Sequence, residues 1–263
     1  MQRRHLLLET DPKGVATITF DRPEVHNAFD DEMIASLTAV FAELRGDAGV
    51  RAVVIAGRGK SFSAGADLNY MKRAAQFSQE ENVADALRLG RMLLSLRTLP
   101  VPTVALVQGA AYGGGVGLVA ACDIAVAVEG AKFALTEVKL GLVPAMISPF
   151  VLGAIGPRQA SRYFHTAERF SAADAQRIGL VHEVVADESA LGESRARIVG
   201  DLLAAGPEAS AAAKKLVADV AGRPIDEALL QDLATRIAAC RASGEGIEGL
   251  SAFLERRSPK WAR

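Results

Sequence analysis

The sequence is poor in cysteine, in aromatic residues and in net charge. Its two cysteines, Cys122 and Cys240, are too few for a disulfide framework and lack the spacing of a metal site, which favours a reducing compartment such as the cytoplasm. The mature form of an organellar matrix protein is the open alternative. With a formal net charge of −1 and no basic stripe interleaved with aromatics, we expect neither nucleic acid nor a membrane surface as partner.

Long hydrophobic runs are also missing. No segment approaches the roughly 18 apolar residues of a membrane helix, and the leucines at 6–8 are too short a run for a signal peptide. The chain is nevertheless 50% hydrophobic and 263 residues long. That is enough to bury a substantial core in one large α/β domain or in a domain with an appendage.

Short segments with strand periodicity occur along the first part of the chain. Residues 15–20 alternate apolar and polar side chains, as expected of a half-buried strand. Further strands are predicted at 52–56, 103–107 and 122–128, with a short extended segment at 132–135.

Two helices of this first part carry recognisable start signals. Asp30 can cap one helix, and Ser78 with Glu81 forms a capping box at the start of another. The apolar stripe of the first helix consists of Met33, Leu37, Phe41 and Leu44. The residues of the second helix that we expect to face inward are Val83, Leu87 and Leu94.

Beyond Val185 the strand patterns stop and helical patterns dominate. We therefore predict a core over residues 1–200 and a helical C-terminal module over residues 201–263. Two prolines of this second part, Pro207 and Pro224, each fit the first position of a helix.

Two glycine-centred turns stand out for their chemistry. Residues 113–115 are three glycines ahead of a small-residue helix that should begin near Gly114, and residues 62–68 form the turn FSAGADL. Such glycines can serve tight packing, or they can let a ligand approach free N–H groups at a helix N-terminus, where negative charge is favoured. In the second case the turn at 64–67 could supply another donor to a developing oxyanion.

A single acid, Glu137, lies in an otherwise apolar stretch. It is either a strand-end residue that points at solvent or a carboxylate held among apolar side chains. Apolar surroundings would disfavour its ionised form and make it a better base. Two turns with free N–H groups and one such acid are the groups needed to hold and deprotonate a carbonyl compound.

Several familiar motifs are incomplete. Gly59-Lys60-Ser61 resembles the end of a P-loop, but the glycine required five positions earlier is Val54. The glycine cluster does not complete a dinucleotide fingerprint because position 118 is leucine. The four histidines show no metal-ligand spacing.

These features together resemble the enoyl-CoA hydratase/isomerase (crotonase) family over nearly the whole chain. The segments that carry the resemblance are RPEVHNAF, FSAGADL, GAAYGGGVGL, CDIAVA, FALTEVKLGLVP, SAADAQRIGLVHEVV and EGLSAFLERRSPKW. The resemblance implies an α/β fold, a spiral of ββα units with a helical C-terminal oligomerisation module, in trimers that usually pair into hexamers. It also implies an acyl-CoA substrate and no separate cofactor or metal, because coenzyme A is part of the substrate.

The resemblance further implies roles for individual residues. The N–H groups of Ala66 and Gly114 are expected to hold the thioester oxygen while Glu137 exchanges a proton. The residues expected near coenzyme A or the acyl group are Arg22, Val25, Ala64, Asp67, Leu68, Ala110, Gly117, Phe253 and Arg256. Of these, Phe253 and Arg256 match positions that meet coenzyme A across a subunit boundary.

The sequence departs from a typical family hydratase in two places. Gly117 stands where such hydratases carry the first of two glutamates, and residues 143–150 read VPAMISPF in place of PGAGGTQRL. Residues 143–150, together with residues 67–94, resemble the subgroup that hydrates branched acyl-CoAs bearing a distal carboxylate, such as 3-methylglutaconyl-CoA and γ-carboxygeranoyl-CoA, in leucine or acyclic-terpene breakdown. The candidate cations for that carboxylate are Lys72, Arg73 and Lys139.

Three functions follow from this reasoning. The leading one is an enoyl-CoA hydratase, a lyase that adds water reversibly and syn across the Cα=Cβ bond. The second is a Δ3,Δ2-enoyl-CoA isomerase, which needs one base and an oxyanion hole but no activated water. The third is a non-catalytic acyl-CoA-binding protein, for which the missing acid at Gly117 is the main support.

Overall fold

The structure, a computed structural model, describes residues 2–3 and 5–262. Its strands form two sheets. The seven-stranded sheet has the order β1-β2-β3-β4-β6-β8-β11, and the four-stranded sheet has the order β10-β9-β7-β5. The strands are β1 Gln2–Arg3, β2 Leu6–Thr10, β3 Val15–Phe20, β4 Ala52–Gly57, β5 Ser61–Ser63, β6 Thr103–Val107, β7 Ala110–Tyr112, β8 Ile124–Val128, β9 Lys132–Ala134, β10 Phe170–Ser171 and β11 Glu183–Val185.

Helices follow the strands and take over after β11. The α-helices are α1 Asp31–Gly46, α2 Leu68–Ala74, α3 Gln79–Arg97, α4 Gly114–Ala121, α5 Ser148–Thr166, α6 Ala172–Arg177, α7 Glu188–Ala204, α8 Pro207–Val220, α9 Glu227–Ala242 and α10 Gly244–Leu254. Short 3₁₀ helices cover Pro23–Val25, Glu137–Leu140 and Lys260–Ala262. Helix α5 is interrupted at Gly156, which has a φ of 71° and precedes Pro157. No helix in the described part of the chain is both long and apolar enough to span a bilayer.

The chain alternates between the two sheets. Each of β4, β6 and β8 lies in the large sheet, and the strand that follows each of them lies in the small one. The parallel pairs β4–β6 and β6–β8 require a crossover each, and helices supply it. This repetition produces the predicted spiral of ββα units, which is confirmed.

The core lies between the large sheet and the helices that cover it. The inner strands β6 and β8 are buried almost throughout, as expected of parallel strands covered on both faces. Helix α1 buries its stripe as predicted, including Met33, Leu37 and Phe41 at 0% exposure. Its N-cap is Asp30, which accepts a hydrogen bond of 2.8 Å from the backbone N–H of Met33.

Two other helix starts are also confirmed. Ser78 and Glu81 form both halves of the capping box at the start of α3. Pro207 occupies the first turn of α8. These local signals succeed because the hydrogen bonds that they encode involve only near neighbours in sequence.

Three predictions about elements are wrong. Pro224 lies in a loop, because α9 begins at Glu227 with Asp226 as its N-cap. The strand predicted from Cys122 begins at Ile124, because Cys122 ends α4 with its N–H bonded to the Leu118 carbonyl.

The third error concerns the face of α3. Val83, Leu87 and Leu94 are exposed to 50%, 40% and 54%, and the helix instead buries Met92, Leu93 and Leu96. Only its C-terminal half packs on the core, so an apolar stripe placed along the whole helix selected the wrong face.

Candidate active site

A cavity of about 480 Å³ opens between the two glycine turns, α2, α3 and the segment after β9. Its wall is mostly apolar, and its ionisable side chains are Tyr70, Asp85 and Glu137. The other lining residues are Phe29, Ile34, Ala64, Gly65, Ala66, Leu68, Met71, Ala86, Leu89, Gly113, Gly114, Thr136, Leu140, Leu142, Val143, Pro144, Ala145, Met146 and Ile147. Such a cavity with a few converging polar groups is the common form of a small-molecule site.

A larger cavity of about 680 Å³ lies near α5 and α8, but its main polar groups bond to one another. Its acid, Asp123, accepts hydrogen bonds from Thr103 and pairs with Lys214 at 2.7 Å. Burial raises the pKa of the Cys122 thiol in its wall to about 12, so that thiol stays protonated. Because these groups satisfy one another, we assign the site to the first cavity.

The first turn presents the N–H of Ala66. Hydrogen bonds flank it on both sides, from Phe29 N–H to Gly65 O at 2.7 Å and from Asp67 N–H to Phe29 O at 2.8 Å. Between them, the Ala66 N–H has no acceptor among the residues that the structure describes. An amide held in this way is a ready donor to a ligand in the cavity.

A buried charged network lies behind this turn. The Arg22 guanidinium is 2.9 Å from Asp30 and 3.2 Å from Asp67, and it donates to the Ala28 carbonyl at 2.8 Å. Asp67 also caps α2 by accepting from the N–H groups of Asn69 and Tyr70. Burial opposes ionisation of Asp67, but those backbone hydrogen bonds and the charge of Arg22 outweigh it and lower its pKa.

The second turn presents the N–H of Gly114, the first residue of α4. Gly113 has φ 48° and ψ −115°, a conformation that residues with a Cβ rarely adopt. Its own N–H donates to the Ala134 carbonyl at 2.9 Å, which fixes the turn. The Gly114 N–H has no acceptor in the described part of the chain, as expected at a helix N-terminus.

The two turns lie against each other. A Cβ built on Gly65 would be 3.0 Å from the Tyr112 carbonyl oxygen, and one on Gly115 would be 2.7 Å from the Ser63 carbonyl oxygen. A Cβ on Gly114 would be 3.1 Å from the Phe29 ring. Glycine is needed here for close approach, so both interpretations of the glycines, packing and ligand access, apply at once.

Glu137 begins the 3₁₀ helix after β9 and lies beside the second turn. A Cβ built on Gly113 would be 3.1 Å from its Oε1. Its Oε2 is buried without a hydrogen-bond partner among the described residues. Burial raises the pKa of Glu137, and its own backbone N–H offsets this only in part. The interpretation as a solvent-pointing strand-end residue is therefore wrong.

Gly117 does not line the cavity, because Ile147 covers it. A Cβ built on Gly117 would be 2.3 Å from Ile147 Cγ2 and 2.7 Å from Ile147 Cβ. Ile147, at the N-cap of α5, is 3% exposed. An aliphatic side chain thus occupies the space into which an acid at position 117 would extend, and the expectation that Gly117 contacts the ligand is corrected.

Six of the other predicted ligand contacts divide into three groups. Ala64 and Leu68 line the cavity, whereas Val25 and Ala110 lie outside its wall. Arg22 and Asp67 are 9% and 6% exposed and lie behind the wall, bonded to each other.

The two C-terminal residues lie on the surface of the single chain. Phe253 is 80% exposed on α10, and Arg256 follows it with a φ of 54°. Both residues are exposed, and neither lines the cavity.

Sequence reasoning missed Tyr70, Asp85, Met146 and Ile147. Asp85 belongs to an acidic, polar stretch of α3 and carries no local mark that sets it apart from its neighbours. Met146 likewise carries no local mark in the sequence. A Cβ built on Gly90 would be 2.3 Å from the Cε of Met146, which is a contact between segments distant in sequence. Only the folded arrangement of α2, α3 and the segment before α5 brings these residues together.

Comparison with known proteins identifies the family of the chain. The family model described as enoyl-CoA hydratase/isomerase matches residues 10–263. The chain belongs to the enoyl-CoA hydratase/isomerase family. The resemblance stated from the sequence is therefore confirmed at the level of the family.

Relatives within the family are similar over their full lengths. A crotonyl-CoA hydratase from Syntrophomonas wolfei is 32% identical over 98% of this chain and 97% of its own. The solved structure of an enoyl-CoA hydratase from Shewanella pealeana is 42% identical, with a TM-score of 0.94 over 98% of this chain and 96% of that one. Pseudomonas aeruginosa AtuE is 39% identical, with the same TM-score over 98% and 100%.

Proposed function

We propose that the protein is an enoyl-CoA hydratase, a lyase, with an acyl-CoA thioester as its substrate. The observation that carries the proposal is that two unbonded backbone amides, Ala66 and Gly114, line the same cavity as the half-buried Glu137. Relatives named as hydratases support the same reaction class.

In this mechanism the two amides bind the thioester oxygen. As water adds to Cβ, charge builds on that oxygen, and donors aimed at it stabilise the enolate-like transition state more than the ground state. The orientation of Gly114 at the start of α4 adds the favourable end of the helix dipole.

One carboxylate is sufficient for the proton balance. Glu137 removes a proton from water as the water oxygen bonds to Cβ, and the electron pair of the double bond moves toward the thioester oxygen. Glu137 then returns the proton to Cα, so that H and OH add from the same face. The product has the mass of the substrate plus one water, and no second acid is consumed.

The raised pKa of Glu137 fits this role. A base must be ionised in the free enzyme, so kcat/KM should fall on the acid side as Glu137 becomes protonated. Because burial raises its pKa above the ordinary 4.5, the fall should begin at a higher pH than for a solvated glutamate.

Replacement of Glu137 by glutamine tests the proposal. Glu137→Gln keeps the shape but cannot accept the proton, so hydration of crotonyl-CoA should fall by about 10²–10⁴-fold. Glu129→Gln, at an exposed glutamate, is the matched control and should hydrate at the wild-type rate. If Glu137→Gln retains most of the turnover, Glu137 is not the base.

The acyl group is a finer part of the proposal. The resemblance favours a branched enoyl group with a distal carboxylate, as in leucine breakdown. The cavity wall contains neither lysine nor arginine among the described residues, while Lys72, Arg73 and Lys139 are exposed outside it, with Arg73 paired to Asp31 at 2.6 Å. The branched apolar part has support from the cavity, and the carboxylate rests on the resemblance alone.

One observation favours isomerisation as a second candidate. Ile147 occupies the place of the other acid, and a Δ3,Δ2 shift of the double bond requires only one base and an oxyanion hole. Separate incubations with 2-enoyl- and 3-enoyl-CoA distinguish the two reactions. Hydration adds the mass of water, whereas isomerisation moves the double bond without a change in mass.

The assembly and location are likewise proposals. Exposed apolar residues on α9 and α10, including Ile237, Ile247 and Leu250, support a homotrimer or a hexamer formed by two trimers. The reducing compartment inferred from the two free cysteines is proposed to be the cytoplasm.

A further inference from the structure

The cavity wall opposite the glycine turns contains an isolated polar pair. The Tyr70 hydroxyl, on α2, donates a hydrogen bond to Oδ2 of Asp85, on α3. Both side chains line the cavity, and the carboxylate of Asp85 is only 15% exposed. Neither has a part in the proton transfers assigned to Glu137, so the pair calls for its own explanation.

The pair presents acceptors to the cavity and no free donor. The single hydroxyl proton of Tyr70 is committed to Asp85, and Oδ1 of Asp85 accepts from Arg88 at 2.6 Å. A carboxylate offers about four acceptor positions and a phenol oxygen keeps one after donating. Most of this capacity is unused by the protein, and a neutral hydrogen-bond donor fits it.

The geometry of the pair is fixed independently of a ligand. The Tyr70 backbone N–H donates to Asp67 at 3.1 Å, which holds it in the first turn of α2. The Arg73 guanidinium lies 5.8 Å from the centre of the Tyr70 ring. Burial, and then the hydrogen bond to Asp85, raise the pKa of Tyr70, so its phenol remains protonated at all working pH values.

The charges nearby determine which donor fits. Asp85 is negative, and its cationic partner Arg88 has a side chain that is 53% exposed and is not part of the cavity wall. An anionic acyl tail would meet the carboxylate of Asp85 first and be repelled. A hydroxyl on the acyl group would donate to it.

We propose that Tyr70 and Asp85 form a subsite that accepts a hydroxyl, or another neutral hydrogen-bond donor, on the acyl chain of the thioester. The inference rests on the proposed function only in placing an acyl-CoA in this cavity. It favours enoyl-CoAs with a hydroxyl or another neutral donor on the acyl chain over those with a distal carboxylate.

Direct binding tests the subsite without requiring turnover. Calorimetry with saturated acyl-CoAs compares an unsubstituted tail, a terminal hydroxyl and a terminal carboxylate over a range of chain lengths. At the length that reaches the pair, the wild type should bind the hydroxyl form about 10-fold more tightly than the unsubstituted one, which corresponds to about 1.4 kcal/mol. The carboxylate form should bind more weakly than either.

Two variants identify the residues responsible. Asp85→Asn replaces one acceptor oxygen by a donor, so the preference for the hydroxyl should disappear and that for the carboxylate should rise. Tyr70→Phe should reduce the hydroxyl preference in part. The matched control is Asp174→Asn, which changes a similar Asp–Arg pair at i,i+3 spacing outside the cavity and should leave all ratios unchanged.

Equal binding of hydroxyl and unsubstituted tails at every length overturns the subsite, and so does an Asp85→Asn variant that weakens all thioesters by the same factor. Neither result bears on whether the wild-type protein hydrates crotonyl-CoA. Conversely, a protein with the predicted binding ratios that hydrates none of the corresponding enoyl-CoAs supports the subsite and overturns the proposed reaction.

Discussion

The two turns that supply the unbonded amides are held in place by different physics. The turn at Ala66 is fixed by a buried ionic network, in which Arg22 joins Asp30 and Asp67, and by hydrogen bonds to Phe29. Among the residues that the structure describes, no ion pair supports the turn at Gly114. It is held by a left-handed glycine, one hydrogen bond and the close packing of α4, seven of whose eight residues are buried.

This difference predicts which kind of change perturbs the position of each turn. A network of charges transmits a change through electrostatics and hydrogen bonding, so the Ala66 turn should respond to charge and pH. A packed glycine turn has no spare volume, so the Gly114 turn should respond to added atoms. Both turns deliver the same chemical group, an amide without an acceptor.

The largest effect is expected from a methyl group in the glycine turn. Gly113→Ala places a Cβ 3.1 Å from Oε1 of Glu137 and imposes a φ of 48° on alanine. Displacing an oxyanion donor typically costs about 10²–10³-fold in kcat, and we expect a loss of that order in crotonyl-CoA hydration. Gly222→Ala, at a φ of 78° in open space, is the control for backbone strain alone and should keep its kcat. Equal losses in both variants would contradict the assignment.

A smaller effect is expected from the charged turn. Asp67→Asn can still cap α2 but loses the ion pair with Arg22. We therefore expect the unfolding free energy to fall by about 2 kcal/mol, the loss typical of a charged hydrogen bond. We also expect kcat to fall by a larger factor than KM rises. The control Asp21→Asn, which removes the exposed ion pair with Arg58, should change neither the unfolding free energy nor the kinetic constants.

The pH dependence of this difference checks its electrostatic origin. The pKa of Asp67 is lowered in the folded state, so its contribution to stability is complete above the ordinary value of 3.8 and is lost as pH falls through the lowered value. The gap in unfolding free energy between wild type and Asp67→Asn should therefore close only below 3.8. A gap that closes at neutral pH would point to another group.

A further effect, on stability, concerns the middle of α4, where Gly117 meets Ile147. Gly117→Ala should destabilise the protein by about 1–3 kcal/mol through overpacking. In the double variant with Ile147→Ala, the two changes should be clearly non-additive, because the new methyl enters the space vacated by the isoleucine. Additive unfolding free energies would show that Ile147 does not fill that space.

The parts of the protein that could be predicted from sequence are those encoded locally. The capping residues Asp30 and Ser78 and the helix start at Gly114 follow from short-range patterns. The family resemblance adds the ββα order and the roles of Ala66 and Glu137, and both residues line one cavity in the structure.

The remaining features depend on contacts between segments that are distant in sequence. Arg22 was expected to contact the ligand, but its guanidinium is used inside the protein by Asp67, 45 positions away. Ile147 over Gly117 and the Tyr70–Asp85 pair are likewise tertiary contacts. The inward face of α3 was misplaced because periodicity does not reveal which half of a helix the core covers.

The proposed reaction depends most directly on whether the Ala66 and Gly114 amides polarise a thioester carbonyl. Isotope-edited infrared difference spectroscopy of a bound acyl-CoA labelled at the carbonyl carbon measures this in the wild-type protein. Two hydrogen bonds to the oxygen should lower the carbonyl stretching frequency relative to the free thioester in water, and Gly113→Ala should reverse most of that shift. A bound carbonyl that absorbs at the frequency of the free thioester would contradict the central claim.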